Sequence, residues 1–249
     1  MGTVVTLDAY NEVGIDPVAY LAHLARAVTA LHHADKVFST WKAESPVSRL
    51  RRGAISLGEA PPAVIEVLSR CREARDLSGG WFDPWAMPGG VDPTGYVKGW
   101  AAERALDELR DAGLSGAMVN AAGDIASFGG PATDRPFRVG IVQPDAKREL
   151  ACVVELRGAL ATSGAYERGE QLVNPRTGTF DTSVDSASVT GPDLGLADAL
   201  ATALAVGGDD VLALIEDLAE YEAFTIGPDG QWRWTAHFPF APAASGTVL

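Results

Sequence analysis

Cysteine is scarce in this chain: Cys71 and Cys152 are the only two in 249 residues. They stand far apart, without C-x-x-C spacing or a histidine cluster beside them, which argues against a structural zinc site and a disulfide scaffold. The simpler reading is two small buried apolar side chains. Basic residues are also few, 20 Lys and Arg against 33 Asp and Glu, for a formal net charge of -13. That balance argues against a nucleic-acid backbone or an anionic bilayer as the main partner, since both are polyanions. A phosphorylated ligand would need local screening, and a divalent cation held by acidic side chains is the ready means. No apolar run approaches the ~18 residues of a membrane-spanning helix, and no charged segment followed by an apolar stretch opens the chain. A soluble, cytoplasmic protein with no stable membrane insertion is expected, a trimmed export signal being the alternative.

Signature motifs are missing too. No G-x-G-x-x-G follows a strand and no G-x-x-x-x-G-K-[ST] occurs, so the usual dinucleotide and P-loop readings fall away. Ser163, in ATSGAY, does not sit in a G-x-S-x-G elbow, and His23, His32, His33 and His237 have no triad context. The opening MGTVVT fits the acylation pattern M-G-x-x-x-[ST], but no polybasic run follows it.

What is present is a chain that is 47% hydrophobic, enough to bury a sizeable core in one large domain. Helical spacing is predicted over Asp16–His33, Pro61–Leu77, Trp100–Ala112, the stretch holding Asp198 and Thr202, and Asp210–Tyr221. Strands are predicted at GTVVTLDAY, GAMVNAAG, FRVGIVQP, ACVVELRG, ALATSG, EAFTIG and WRWTAHF. Helices interrupt strands with no repeat and no long linker. The expected fold is α+β (mixed α/β): one layered domain over residues 1–241, with central mixed sheets, flanking helices and a loose tail at 242–249.

Two stretches stand out chemically. In GLADALATALAVGG, Asp198 and Thr202 lie four residues apart, one turn above each other on a helix face that is otherwise apolar. A carboxylate on such a face needs a partner, because an unpaired one away from water is costly. The second stretch is the breaker-rich WFDPWAMPGGVDPTGYVKG, from Trp81 to Gly99, read as a loop of the kind that carries function. Lys98, between Gly95 and Gly99 just before a helix, could meet a phosphate beside backbone N–H groups. Trp41, Trp81 and Trp85 cluster near polar turns, which suits stacking on a flat ring system or packing in the core.

The order of several motifs resembles the ApbE-like flavin transferases, the FAD:protein FMN transferase family. The segments are MGT, FSTWKAESPVSRL, DPTGYVKGWA, NAAGDI, ATSGAYERG followed by NPRTG, and LADALATAL, and they span nearly the whole chain. The resemblance implies an ApbE-like, T-fold-like layered architecture and a magnesium-dependent enzyme. Such an enzyme splits the diphosphate of FAD, moves FMN onto a serine or threonine hydroxyl of an acceptor flavoprotein and releases AMP. By the family's pattern, Asp198, Thr202 and a backbone oxygen of Gly95 would hold Mg2+. Lys98 would act with Asp198 and Thr202 in catalysis. Met1, Trp41, Trp81, Phe82, Asp83, Asp92 and Lys98 would line the FAD site, with Leu172 or Val173 adding a backbone or apolar contact.

Two departures from that pattern matter. The loop between FDP and VDPTG is shorter than in many relatives. Where the family commonly has a histidine before a DPRTG-type turn, this chain has Gln171, with Asn174 in place of the aspartate. An FAD pyrophosphatase yielding FMN and AMP, and an FAD-binding protein without catalysis, are the alternative readings.

Overall fold

The structure, a computed structural model, describes residues 3–11, 14–164 and 172–242. In chain order the elements are β1 (Val5–Tyr10), α1 (Pro17–Phe38), α2 (Pro46–Arg51), α3 (Pro62–Leu77), α4 (Thr94–Asp111), β2 (Gly116–Ala121) and β3 (Asp124–Gly129). There follow β4 (Phe137–Gln143), β5 (Ala146–Leu156), β6 (Ala159–Ser163), β7 (Ser186–Gly191), α5 (Leu194–Gly207), α6 (Asp209–Glu216), β8 (Glu222–Ile226) and β9 (Trp232–Trp234).

Side-chain alternation along the strands decides what each face of the sheet meets. Ala159 and Ala161 of β6, Ala187 and Val189 of β7 and Ala223 of β8 point into the core shared with the helices. The intervening Leu160 joins Ile125, Phe137 and Leu156, and Phe224 and Ile226 join Ile141, Val154 and Phe238. Helices therefore cover one face and the β4–β5 ribbon packs on the other. The main sheet has seven strands in the order β1-β2-β3-β6-β7-β8-β9. Every strand pair in it, and the ribbon too, is antiparallel. The expected α+β layering is present, but the sheets are not mixed in direction, because hairpins and helical excursions return each strand beside an oppositely running neighbour.

Alanine on the helix-facing side lets α5 lie close to the sheet, and α5 is itself alanine-rich. Its Asp193 cap accepts a hydrogen bond from Leu196 N at 2.7 Å, and the helix stops at Gly208, whose φ of 55° is open to glycine. Packed between α4 and strands β6 and β7, α5 is buried on nearly every side. Leu200 and Leu204 are almost wholly enclosed, each contributing about 2 kcal/mol through burial.

Several elements differ from the sequence reading. Helix α4 begins at Thr94, six residues ahead of the expected Trp100, so Gly95, Lys98 and Gly99 lie inside it. Asp92 opens it by accepting from Thr94 N at 3.1 Å. Helix α6 ends at Glu216, short of Tyr221. The small-residue strands β3 and β7 carry little of the apolar alternation that marks a strand, and they emerge only in the sheet. Of the tail expected at 242–249, residues 243–249 lie outside the described residues. Cys71 and Cys152 are both free thiols, Cys71 buried and Cys152 partly so. Among the described residues, no helix is long and apolar enough to cross a membrane.

Candidate active site

A cleft of about 220 Å³ opens where the first turn of α4, the middle of α5 and the end of β6 converge. Trp81, Phe82, Asp83, Asp92, Gly95, Lys98, Leu172, Val173, Asp198 and Thr202 all line it. Ten positions expected from the sequence to share one site are thus gathered from four separate segments. Trp41 does not line the cleft and is 94% exposed. Met1 and Gln171 lie outside the described residues.

The centre of the cleft is made by two helices. On α5, the Asp198 side chain is buried and Thr202 stands one turn further along the same face. On α4, Gly95 approaches that face so closely that a β-carbon there would stand 3.3 Å from Thr202 Oγ1 and 3.3 Å from the Phe82 ring. Four residues on, the helices touch more tightly: a β-carbon on Gly99 would stand 2.3 Å from the Leu194 carbonyl oxygen. Helix interiors normally disfavour glycine, and here the close approach requires it. From β6, Ser163 Oγ lies 3.4 Å from Thr202 Oγ1. Asp198, Thr202 and the Gly95 backbone offer a set of hard oxygen donors with a single carboxylate. Among the described residues, no group of three or more His, Cys, Asp or Glu side chains could hold a metal. That donor chemistry fits a hard cation such as Mg2+, which keeps waters and accepts phosphate oxygens, and does not fit zinc.

Lys98 lines the cleft and forms an ion pair with Asp124, whose side chain is fully buried at the start of β3. The other carboxylate oxygen of Asp124 accepts from Thr162 N at 3.2 Å. The pair fixes the ammonium at the cleft wall and joins α4 to two strands. Asp83 and Asp92 have structural partners as well. Asp92 pairs with Arg51 at 2.8 Å and caps α4. Asp83 pairs with Arg75 at 2.8 Å and accepts from Trp85 N at 2.9 Å. Their carboxylates shape the aromatic turn as much as they face a ligand.

Arg176 was not marked by the sequence. Its guanidinium carbon lies 3.7 Å from the centre of the Trp81 ring, so one face of that tryptophan is covered. Arg72 similarly sits over Trp85, at 5.4 Å. The tryptophans expected to offer stacking faces are therefore divided between arginine partners and open surface. Asn174 stabilises the turn that presents Arg176, accepting from Arg176 N at 3.0 Å.

The ApbE family matches residues 1–90 and 86–225. Among curated proteins, the chain is 36% identical over 129 residues to an FAD:protein FMN transferase of Rhodobacter capsulatus, covering 48% of this chain and 24% of that protein. It is 32% identical over 166 residues to one of Treponema pallidum, covering 59% and 46% respectively. The chain thus spans less than half the length of either relative. Among solved structures, the ApbE protein of Thermotoga maritima superposes with a TM-score of 0.79 at 19% identity, over 94% of each chain. The apo flavinyl transferase ApbE of Pseudomonas stutzeri gives 0.78 at 21%, over 95% of this chain and 92% of that one. At such identities these structures establish the shared fold, and the family match over most of the sequence establishes descent: this chain belongs to the ApbE family.

Proposed function

We propose that the chain is a magnesium-dependent FAD:protein FMN transferase. The observation that carries this reading is the convergence of Asp198 and Thr202 from α5 with Gly95 and Lys98 from α4 in one cleft. The names of the curated relatives supply the reaction. The acceptor's serine or threonine oxygen forms a bond to the FMN phosphorus, the phosphoanhydride bond to AMP breaks, and the hydroxyl proton leaves to solvent or a base.

Transfer of this kind asks the protein for position and charge more than for covalent chemistry. When bound, Mg2+ would supply charge neutralisation at the diphosphate, held by Asp198, Thr202 and the Gly95 backbone. Lys98, fixed by Asp124, adds a positive charge that needs no reorganisation as negative charge develops. Phe82, Leu172 and Val173 give apolar walls that orient the ligand and exclude water. The nucleophile belongs to the acceptor, which accounts for the absence of a triad motif from the sequence.

Incubation with FAD and Mg2+, with and without a candidate acceptor protein, tests the reading. Covalent flavin on the acceptor with stoichiometric AMP supports transfer. Equal FMN release without acceptor would make the protein a pyrophosphatase, and FAD binding without AMP would make it a binding protein.

A further inference from the structure

The two helices that build the cleft run antiparallel, and they are joined at both ends of their contact. At the cleft, Gly95 meets Thr202; eight residues further along α4 and eight back along α5, Glu103 meets Leu194. At 1.5 Å per residue, both paths are about 12 Å long, so the Glu103 contact lies about two helical turns from the cleft. At the far end, a Glu103 carboxylate oxygen accepts a hydrogen bond from the Leu194 backbone N–H. That N–H is the first of α5 and has no acceptor within its own helix. Asp193, the helix's own cap, is engaged with Leu196 N instead. Gly99, midway along this stretch of α4, also reaches the start of α5: a β-carbon there would strike the Leu194 carbonyl, and one on Gly195 would stand 2.7 Å from the Tyr96 ring. A shift of α5 along α4 has to break the Glu103 bond.

We infer that Glu103 is a positioning residue for the reaction: by holding the first N–H of α5 it locks that helix against α4 and so sets Asp198 and Thr202 opposite Gly95 and Lys98. The inference rests on the proposed Mg2+ and FAD site and adds a residue that touches neither ligand. A carboxylate here is an unfavourable choice for stability alone. Asp193, the cap of α5, and Asp107 on its own helix both crowd Glu103 electrostatically, with Arg104 as a relieving charge. A buried apolar side chain would avoid that cost but could not accept the Leu194 N–H.

The test uses the full chain as wild type, Glu103→Gln and Glu103→Met. FAD binding is followed by flavin fluorescence across an Mg2+ titration, with the melting temperature of each protein recorded alongside. Gln keeps an acceptor oxygen and Met keeps the volume without one, so both are expected to fold. Wild type and Glu103→Gln should reach half-saturation at similar Mg2+, whereas Glu103→Met should need about tenfold more, the equivalent of 1.4 kcal/mol. An Mg2+ requirement in Glu103→Met equal to wild type overturns the inference while leaving the site intact. A wild type whose FAD binding ignores Mg2+ overturns the metal site, and the inference with it.

Discussion

Thr202 Oγ1 lies 3.3 Å from the point where a β-carbon on Gly95 would stand. A helical glycine pressed against a hydroxyl on the facing helix leaves room for oxygen donors and for little else. Gly95→Ala should therefore separate stability from function. Its backbone is helical, where alanine is favoured over glycine by about 1 kcal/mol, so the melting temperature should hold or rise. Crowding of Thr202 and Phe82 should lower FAD cleavage at limiting Mg2+. Gly99→Ala, four residues on, should do the opposite of holding stability. Its β-carbon would fall 2.3 Å from backbone oxygen, and the helices must part, with a marked loss of melting temperature.

Lys98 and Asp124 are expected to behave as a unit. Lys98→Met removes the ammonium that pairs with the fully buried Asp124 carboxylate, and breaking a buried pair from one side typically costs 3–5 kcal/mol. Adding Asp124→Asn removes the stranded charge and should restore most of the melting temperature. AMP release from FAD should stay low in the double variant, because the ammonium at the cleft wall is gone. Recovery of turnover together with stability would show that Lys98 serves the fold alone.

Arg176 over Trp81 predicts a binding effect. Removing a cation from an aromatic face costs about 1 kcal/mol, and Arg176 belongs to the same segment as the cleft-lining Leu172 and Val173. Arg176→Ala should lower the melting temperature by roughly 2–4 °C, change the intrinsic tryptophan fluorescence and, by loosening this wall of the cleft, weaken FAD binding. Unchanged FAD affinity would place the stacking contact outside the binding machinery.

Glu103 also fixes a pH dependence. Burial, followed by the nearby Asp193, pushes its carboxyl up to about 7 from an ordinary 4.5. Between those values the folded chain holds more protons than the unfolded one. The group's stabilising contribution is therefore complete below pH 4.5 and is lost as pH rises toward 7. The full swing is at most roughly 3 kcal/mol. Melting temperatures from pH 4 to 8 should fall more steeply in wild type than in Glu103→Gln, which lacks that titration.

Much of the site was legible because its signals are local or ordered along the chain. Asp198 and Thr202 are spaced by one helical turn in an apolar run, and the aromatic turn at Trp81–Asp83 precedes the segment that carries Asp92, Gly95 and Lys98. All of these line the cleft. The early start of α4 was hidden because Pro93, Gly95 and Gly99 read as helix breakers. Pro93 stands at the helix start, where proline is tolerated, and the two glycines serve the close contact with α5, a partner a hundred residues away. Strands β3 and β7, rich in Ala, Ser and Gly, lack the apolar alternation that marks a half-buried strand. Arg176 with Trp81, and Glu103 with Leu194, are pairings across the fold with no local spacing to announce them. Trp41, expected at the FAD site, stays in solvent and does not line the cleft.

The most direct measurement is the Mg2+ dependence of AMP release from FAD by wild type and Asp198→Asn, each confirmed as folded by its melting temperature. If Asp198 holds the metal, the variant should need at least tenfold more Mg2+ and turn over more slowly even when saturated, because a charged ligand has become a neutral one. Wild-type turnover by Asp198→Asn at low Mg2+ would contradict the metal role of α5 and the mechanism built on it.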